Sequence, residues 1–253
     1  MILAPLKVVW LFLWLVLLTV TLFVPVVVSA SLGRSGKLAF FLMQCWAWMV
    51  LRVTGARVVV RGRENVEPGQ RYVILSNHQS HADIPALVTS LGVPYRWVIK
   101  KELRAIPLFG HALAASRNVF IDRSDGTRAM ESIQQGVAQL PEATSILFFP
   151  EGTRSPDGNM LPFKNGAFVA ARDSGLPILP VTVNGSRRCL PKGSAVFRRG
   201  TIEIVIHPPI QPRAEEEEPL ESLMERTRAV IASARDDRLD RIPASGRAHH
   251  NGT

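Results

Sequence analysis

A histidine with an acid five residues downstream, and an arginine just beyond a strongly apolar run, are the groups in this 253-residue chain best suited to chemistry. The first set lies in Asn77-His78-Gln79-Ser80-His81-Ala82-Asp83 and the second in Phe149-Pro150-Glu151-Gly152-Thr153-Arg154. An imidazole takes up a proton near neutral pH, and a carboxylate on one ring nitrogen fixes the tautomer of the other. A guanidinium offers a planar fork to phosphate oxygens, and a neighbouring glycine lets backbone come close to a ligand. Base and anion clamp together suggest chemistry on a phosphate-bearing alcohol.

In one regular helix His78 and Asp83 would stand about 140° apart around the axis and could not meet. They meet only if His78 sits on a loop and the helix starts near Asp83. Pro85 argues for that start, because proline is tolerated in a first helical turn and not deeper. A plainer reading fits the same string equally well: Asp83 is a helix cap and His78 an ordinary loop residue. A metal bound by His78, His81 and Asp83 lacks a further His or Cys cluster to complete its shell. Arg154 has its own plain reading as a surface arginine, since Ser155-Pro156-Asp157-Gly158-Asn159 is rich in turn residues. Lys100, Lys101 and Arg123 also follow apolar runs and would build an electropositive mouth, although singly each is more often a solvated charge.

The elements that must position these groups begin after residue 55. Short β-branched runs at 57–61, 72–76, 95–100, 118–122, 145–149, 178–183 and 201–206 read as strands, and 83–90, 126–140 and 166–173 read as helices. The alternation predicts an α/β domain over 55–234 with a mainly parallel mixed sheet flanked by helices. Both chemical strings then lie beyond the carboxyl ends of strands, where such sheets gather active groups. An acidic amphipathic stretch, 215–234, predicts a closing helix whose Glu215–Glu218 run favours its N-terminal dipole. Residues 235–253 are polar and predict a disordered tail.

Residues 1–54 read differently, as a membrane-anchoring segment. From Val8 to Val28 no residue is charged, and as a helix this run reaches about 32 Å, enough to span a bilayer core. Pro25 predicts a kink or an end to it. Arg34 and Lys37 follow, so the positive-inside rule places everything after residue 30 in the cytoplasm, at the cell membrane. Val28-Ser29-Ala30 resembles a signal cleavage site, but the apolar run is too long for a signal peptide and its leading region holds one lysine. A second apolar stretch, 38–51, is short for a span and suits the interface, as a surface helix or as half of a hairpin dipping into one leaflet.

The formal net charge is +9, and fourteen basic against six acidic residues between 31 and 130 put the excess beside that anchor. Basic surface next to an apolar anchor attracts anionic lipid headgroups. Nucleic acid is excluded as the partner because no helix-turn-helix, zinc-finger spacing or aromatic RNA-binding signature accompanies the charge. Cys45 and Cys189 are the only cysteines, which fits a reducing compartment.

The strings, taken in order, resemble the glycerolipid acyltransferases. They are Asn77-His78 with Asp83, Val119-Phe120-Ile121-Asp122-Arg123, Phe149 to Ser155, and Leu176-Pro177-Ile178-Leu179-Pro180-Val181. The chain is most like their 1-acyl-sn-glycerol-3-phosphate acyltransferase branch. Lys100-Lys101-Glu102-Leu103, Pro107-Leu108-Phe109-Gly110 and Phe163-Lys164-Asn165-Gly166 match as well. The resemblance covers about residues 70–185. It implies direct transfer, without an acyl-enzyme, from acyl-CoA or acyl carrier protein to lysophosphatidate, with another lysolipid or glycerol 3-phosphate as the alternative acceptor, and with no metal or cofactor beyond the acyl thioester. It also implies His78 as general base oriented by Asp83. Arg154 with Glu151, Gly152 and Thr153 would hold the glycerol phosphate, assisted by Arg123 and Lys101. One position departs from the pattern: Arg117 stands where the family usually has glycine, which bears on the identity of the acceptor.

Two rival classes remain open at this level. A membrane-bound hydrolase could use His78 to activate water on an ester or thioester, although no Gly-x-Ser-x-Gly elbow supports a serine version. A non-catalytic binder of anionic lipid would need the charges but not the base.

Overall fold

The computed structural model describes residues 3–32 and 37–242. The chain opens with two apolar helices, α1 (Leu3–Leu32) and α2 (Lys37–Thr54). Then follow β1 (Ala56–Arg61), β2 (Val73–Ser76), α3 (Asp83–Ser90), β3 (Tyr95–Lys100), α4 (Phe109–Ala115), β4 (Val119–Ile121) and α5 (Gly126–Ala138). The second half adds β5 (Ser145–Phe148), α6 (Gly166–Ser174), β6 (Ile178–Asn184), α7 (Ser186–Cys189), β7 (Gly200–Ile206), α8 (Leu220–Ser233) and α9 (Asp237–Asp240).

The strands form one sheet in the order β1-β7-β6-β2-β5-β3-β4. β6, β2, β5, β3 and β4 are mutually parallel, and β7 runs antiparallel to β6 with β1 parallel to β7. The predicted mainly parallel mixed sheet is therefore the one observed. β2 lies at its centre between β6 and β5, so both chemical strings leave the same edge of the sheet from adjacent strands.

Alternating side chains build two cores. Ile74, Leu147 and Leu179 face α2 and α3, meeting Phe40, Ala47, Leu51, Ala86, Leu87 and Leu91. Val73, Leu75, Ile146 and Ile178 face α5, α6 and α8, meeting Ile133, Phe168, Ala171, Leu223 and Ile231. Each such aliphatic side chain stabilises by roughly 1.5–3 kcal/mol on burial, so the central strand that carries His78 is held from both faces.

α1 packs along α2 and touches α4. Its stretch Val9–Ser29 is long and apolar enough to cross a membrane, and Trp10, Phe12, Leu13 and Val20 on it are exposed. Pro25 does not end the helix. Proline forfeits one backbone bond, but in apolar surroundings the remaining groups are best satisfied by continuing the helix. Arg34 and residues 243–253 lie outside the described residues, as does the side chain of Lys37. α2 is longer than the predicted apolar stretch; its Ala47 and Leu51 are buried on the domain while Leu38, Phe41 and Trp48 face outward.

Two expectations for the C-terminal part change. α8 starts after Pro219, so the Glu215–Glu218 run is not in its first turn. The residue before a proline is steered away from helical backbone, which sets that start. Glu218 instead pairs with Arg226 at 2.8 Å, and Glu215 with Arg172. The second change is that residues 235–242 are not a disordered tail: they turn back, form α9 against β6 and α7, and bury Asp240.

Arg117 also has a conformational explanation. It adopts a φ of 56°, in the left-handed region, at the turn between α4 and β4. An L side chain there costs roughly 1–2 kcal/mol, and glycine gives back about 0.5–1 kcal/mol of that through its freer unfolded chain. Arg117→Gly is therefore expected to raise the thermal midpoint by the equivalent of about 0.5–1 kcal/mol, and denaturation followed by circular dichroism checks it. Arg117 sits at the opposite end of β4 from Arg123, so acceptor preference should not change.

Candidate active site

His78 lies on the loop between β2 and α3, and α3 begins at Asp83, as the meeting of the two requires. His78 Nδ1 lies 2.7 Å from Asp83 Oδ2. The same oxygen accepts the backbone N–H of Gln79 at 2.8 Å and of Ser80 at 3.0 Å. An ionised carboxylate only accepts, so Nδ1 carries the proton and Nε2 keeps its lone pair. Asp83 is fully buried and His78 is 13% exposed, so the base opens outward from an enclosed partner. The imidazole stacks on Phe149, with ring centroids 3.8 Å apart and planes 10° apart, which fixes its orientation from the β5 side. Asp83 is thus no simple cap: Ala82 occupies the cap position, and the carboxylate turns back onto the loop.

The β5 loop is tied to the His78 loop through backbone. Glu151 Oε1 accepts the His78 N–H at 2.7 Å, Glu151 Oε2 accepts the Leu161 N–H at 2.8 Å, and Ser155 donates its N–H to the His78 carbonyl at 2.9 Å. Burial pushes the Glu151 carboxyl up to about 7; its two backbone bonds pull it down, nearby Asp83 pushes it up, and Arg235 pulls it down. Gly152 has a φ of 72°, the left-handed conformation that lets the loop turn here. Its N–H is used within the loop, donating to Phe149 at 2.9 Å, whereas the N–H groups of Glu151 and Thr153 have no protein partner among the described residues.

The basic residues divide. Lys101 is bound to Asp122, Lys100 pairs with Glu102 at 3.0 Å, and the Arg123 guanidinium donates to the Gly152 carbonyl. Arg123 therefore bridges the β4 and β5 loops. The half-buried guanidinium of Arg154 has no protein partner among the described residues, while its carbonyl accepts from Lys192 Nζ at 2.7 Å. Burial lowers the His81 pKa, Arg154 and His78 lower it further, and Asp83 raises it. Thr153 is exposed in the same loop. Lys164 lies against Gly152, where an added Cβ would meet its Cε at 2.9 Å. Among the described residues no three His, Cys, Asp or Glu side chains converge as metal ligands do.

Three contributions carry no signal in the local spacing: the stacking of Phe149 on the imidazole, the place of His81 beside the site, and the charge of Arg235, which reaches Glu151 from the polar C-terminal stretch. Stacking and folding back from a distant segment leave no local spacing to read.

The mainly parallel sheet thus presents a carboxylate-paired histidine at its carboxyl edge, with an arginine that has no protein partner among the described residues in the adjoining loop. The chain belongs to the Acyltransferase family, whose model matches residues 57–184. It is similar to a 1-acyl-sn-glycerol-3-phosphate acyltransferase of Chlamydomonas reinhardtii, 33% identical over 92% of this chain and 70% of the relative. The enzyme of that name from Pseudomonas aeruginosa is 36% identical over 76% of each chain. Against longer chloroplast relatives from plants the chain spans about half their length, 51% and 49%. A crystal structure of the 1-acyl-sn-glycerophosphate acyltransferase from Thermotoga maritima superposes with a TM-score of 0.79 at 28% identity, over 92% of this chain and 94% of that one.

Proposed function

We propose that this acyltransferase moves a fatty acyl group from an acyl thioester to the sn-2 hydroxyl of 1-acylglycerol 3-phosphate, giving phosphatidate. The observation that carries the reading is the His78–Asp83 pair, with Nε2 open outward and, in the adjoining loop, an Arg154 guanidinium without a protein partner among the described residues. The names of the relatives support the choice of acceptor.

In the proposed reaction His78 Nε2 takes the acceptor hydroxyl proton as that oxygen attacks the thioester carbonyl. The carbonyl π pair becomes an oxyanion, stabilised by free backbone N–H groups such as those of Glu151 and Thr153. Collapse expels the thiolate, which takes the proton from the imidazolium, so the products are ester and thiol and the base is restored. Asp83 stabilises the transient imidazolium. Arg154 binds the acceptor phosphate, Gly152 allows the loop to approach it, and Arg123 holds that loop. Glu151 acts through the backbone N–H of His78. Lys101, whose charge Asp122 offsets, assists by tying the ends of β3 and β4 together beside Arg123 rather than by adding net positive charge. The donor is acyl-CoA or acyl carrier protein, and no further cofactor takes part. In this proposal the enzyme works at the cell membrane with its α/β domain on the cytoplasmic side, a location that the long apolar stretch of α1 supports.

The test is thiol release from each donor by the detergent-solubilised protein, with and without lysophosphatidate. Release that requires the acceptor supports transfer; equal release without it makes the protein a thioester hydrolase. Arg154→Ala is expected to lower kcat/KM for lysophosphatidate by about 10–100-fold, mainly through KM, since a hydrogen bond to a charged group contributes about 1.5–3 kcal/mol. Steady-state kinetics with varied acceptor check this, and an unchanged KM would move the phosphate site elsewhere.

A further inference from the structure

We propose that Arg235, held by Asp240, is a positioning residue for acyl transfer: the segment after α8 folds beneath the His78 loop and fixes the two residues that flank the base. The inference rests on the acyl-transfer reading above and adds to it a part of the chain outside residues 57–184.

The geometry converges on two carbonyl oxygens. Arg235 Nη1 donates to the Val183 carbonyl at 3.2 Å and Nη2 to the Gly158 carbonyl at 3.0 Å. The Val183 carbonyl also accepts from Asn77 Nδ2 at 2.9 Å, and the Val183 N–H donates to Asn77 Oδ1 at 2.7 Å. The Gly158 carbonyl also accepts from Gln79 Nε2 at 2.9 Å. Asn77 and Gln79 are the chain neighbours of His78, so the guanidinium shares one acceptor with the side chain on each side of the base. Gln79 in turn donates its backbone N–H to Asp83, the partner of His78. One rigid planar group therefore ties strand β6 to the loop after β5, the two places where Asn77 and Gln79 anchor the His78 loop.

Asp240 explains why the arginine stays there. Its Oδ2 lies 3.0 Å from Arg235 Nη2, its Oδ1 accepts the Gly185 N–H at 2.7 Å, and the pair is nearly enclosed, with side chains 11% and 6% exposed. Asp236 adds a backbone bond from its N–H to Asn184 Oδ1 at 3.1 Å. The Arg235 guanidinium is engaged by two backbone carbonyls and a carboxylate and is only 11% exposed, so it acts through the loop rather than on substrate. A shift of the base by about 1 Å can cost about 100-fold in rate, which is the scale on which such a brace matters.

Three full-length variants test this in the acceptor-dependent thiol-release assay: Arg235→Met, Arg235→Lys, and the double variant Arg235→Met/Asp240→Asn. The double variant leaves no unpaired buried charge and keeps the test meaningful if Arg235→Met folds poorly. The expected result is kcat at least about tenfold below wild type in the folded double variant, KM for lysophosphatidate within about twofold, and partial recovery of kcat in Arg235→Lys. A wild-type kcat in the folded double variant overturns the proposal. So does a fall that disappears once rates are divided by the folded fraction, since that marks a purely structural role. The wild-type control tests the acyl-transfer reading by itself: without acceptor-dependent release that reading fails, whereas only the ratio of variant to wild type tests Arg235.

Discussion

His78→Ala is expected to lower kcat for acceptor-dependent thiol release by about 10²–10⁴-fold, the usual worth of a positioned general base. That corresponds to about 3–5 kcal/mol on the barrier. The fold should survive, because the loop is held by the backbone of His78 and not by its ring. Its N–H donates to Glu151 and its carbonyl accepts from Ser155, and alanine keeps both. What is lost is the stack on Phe149 and one of the three bonds to Asp83 Oδ2. Asp83 keeps the N–H groups of Gln79 and Ser80, so the carboxylate stays partly satisfied. Thiol release measured beside circular dichroism separates the two effects. A folded His78→Ala protein with wild-type kcat would sink the mechanism and require another base.

The fold class was legible because β-branched runs and amphipathic stretches alternate at short intervals, and local pattern is enough to place a strand. The seven strand positions came out within a residue or two, and α3 within none, since Asp83 and Pro85 mark its start chemically. The His78–Asp83 pairing was legible for the same reason: both ends sit on one short connection, and the proline fixes where helix begins. Partnership across the chain was not legible. Lys101 and Asp122 lie on different strand ends and meet only because β3 and β4 are neighbours. Arg154 and Arg123 look alike in sequence, yet the guanidinium of one has no protein partner among the described residues and the other spans two loops.

The C-terminal segment is the plainest case. Residues 235–242 are polar, and composition alone marks them as unable to build a core. They are ordered all the same, because Arg235 and Asp240 satisfy backbone groups that β6 and the loop at 158 leave open. Such order comes from acceptors supplied elsewhere in the chain, and no periodicity in the segment itself announces it. Arg117 teaches the complementary point. Its φ of 56° marks a position where glycine carries the least strain, a property of backbone conformation that the string of residues around it does not display.

Asp83→Asn separates the oriented base from the plainer view of Asp83 as a loop brace, and is expected to lower kcat by about 10²–10³-fold with little change in KM for the acceptor. Three donors converge on Oδ2, namely His78 Nδ1 and the N–H groups of Gln79 and Ser80. An asparagine must therefore turn its carbonyl oxygen toward them and place its NH₂ where Oδ1 now lies, buried and without a hydrogen-bond partner. The loop geometry and the tautomer of His78 are kept, at a stability cost of about 1–3 kcal/mol for the unsatisfied donor. What disappears is the negative charge that stabilises the imidazolium formed as the hydroxyl proton moves. A brace needs only an acceptor, and asparagine supplies one, so under that view kcat stays within about threefold of wild type. Under the oriented-base view rate falls while the folded fraction, read from the thermal midpoint, remains high. Kinetics and melting of this one variant therefore decide whether the carboxylate takes part in catalysis or only in building the loop.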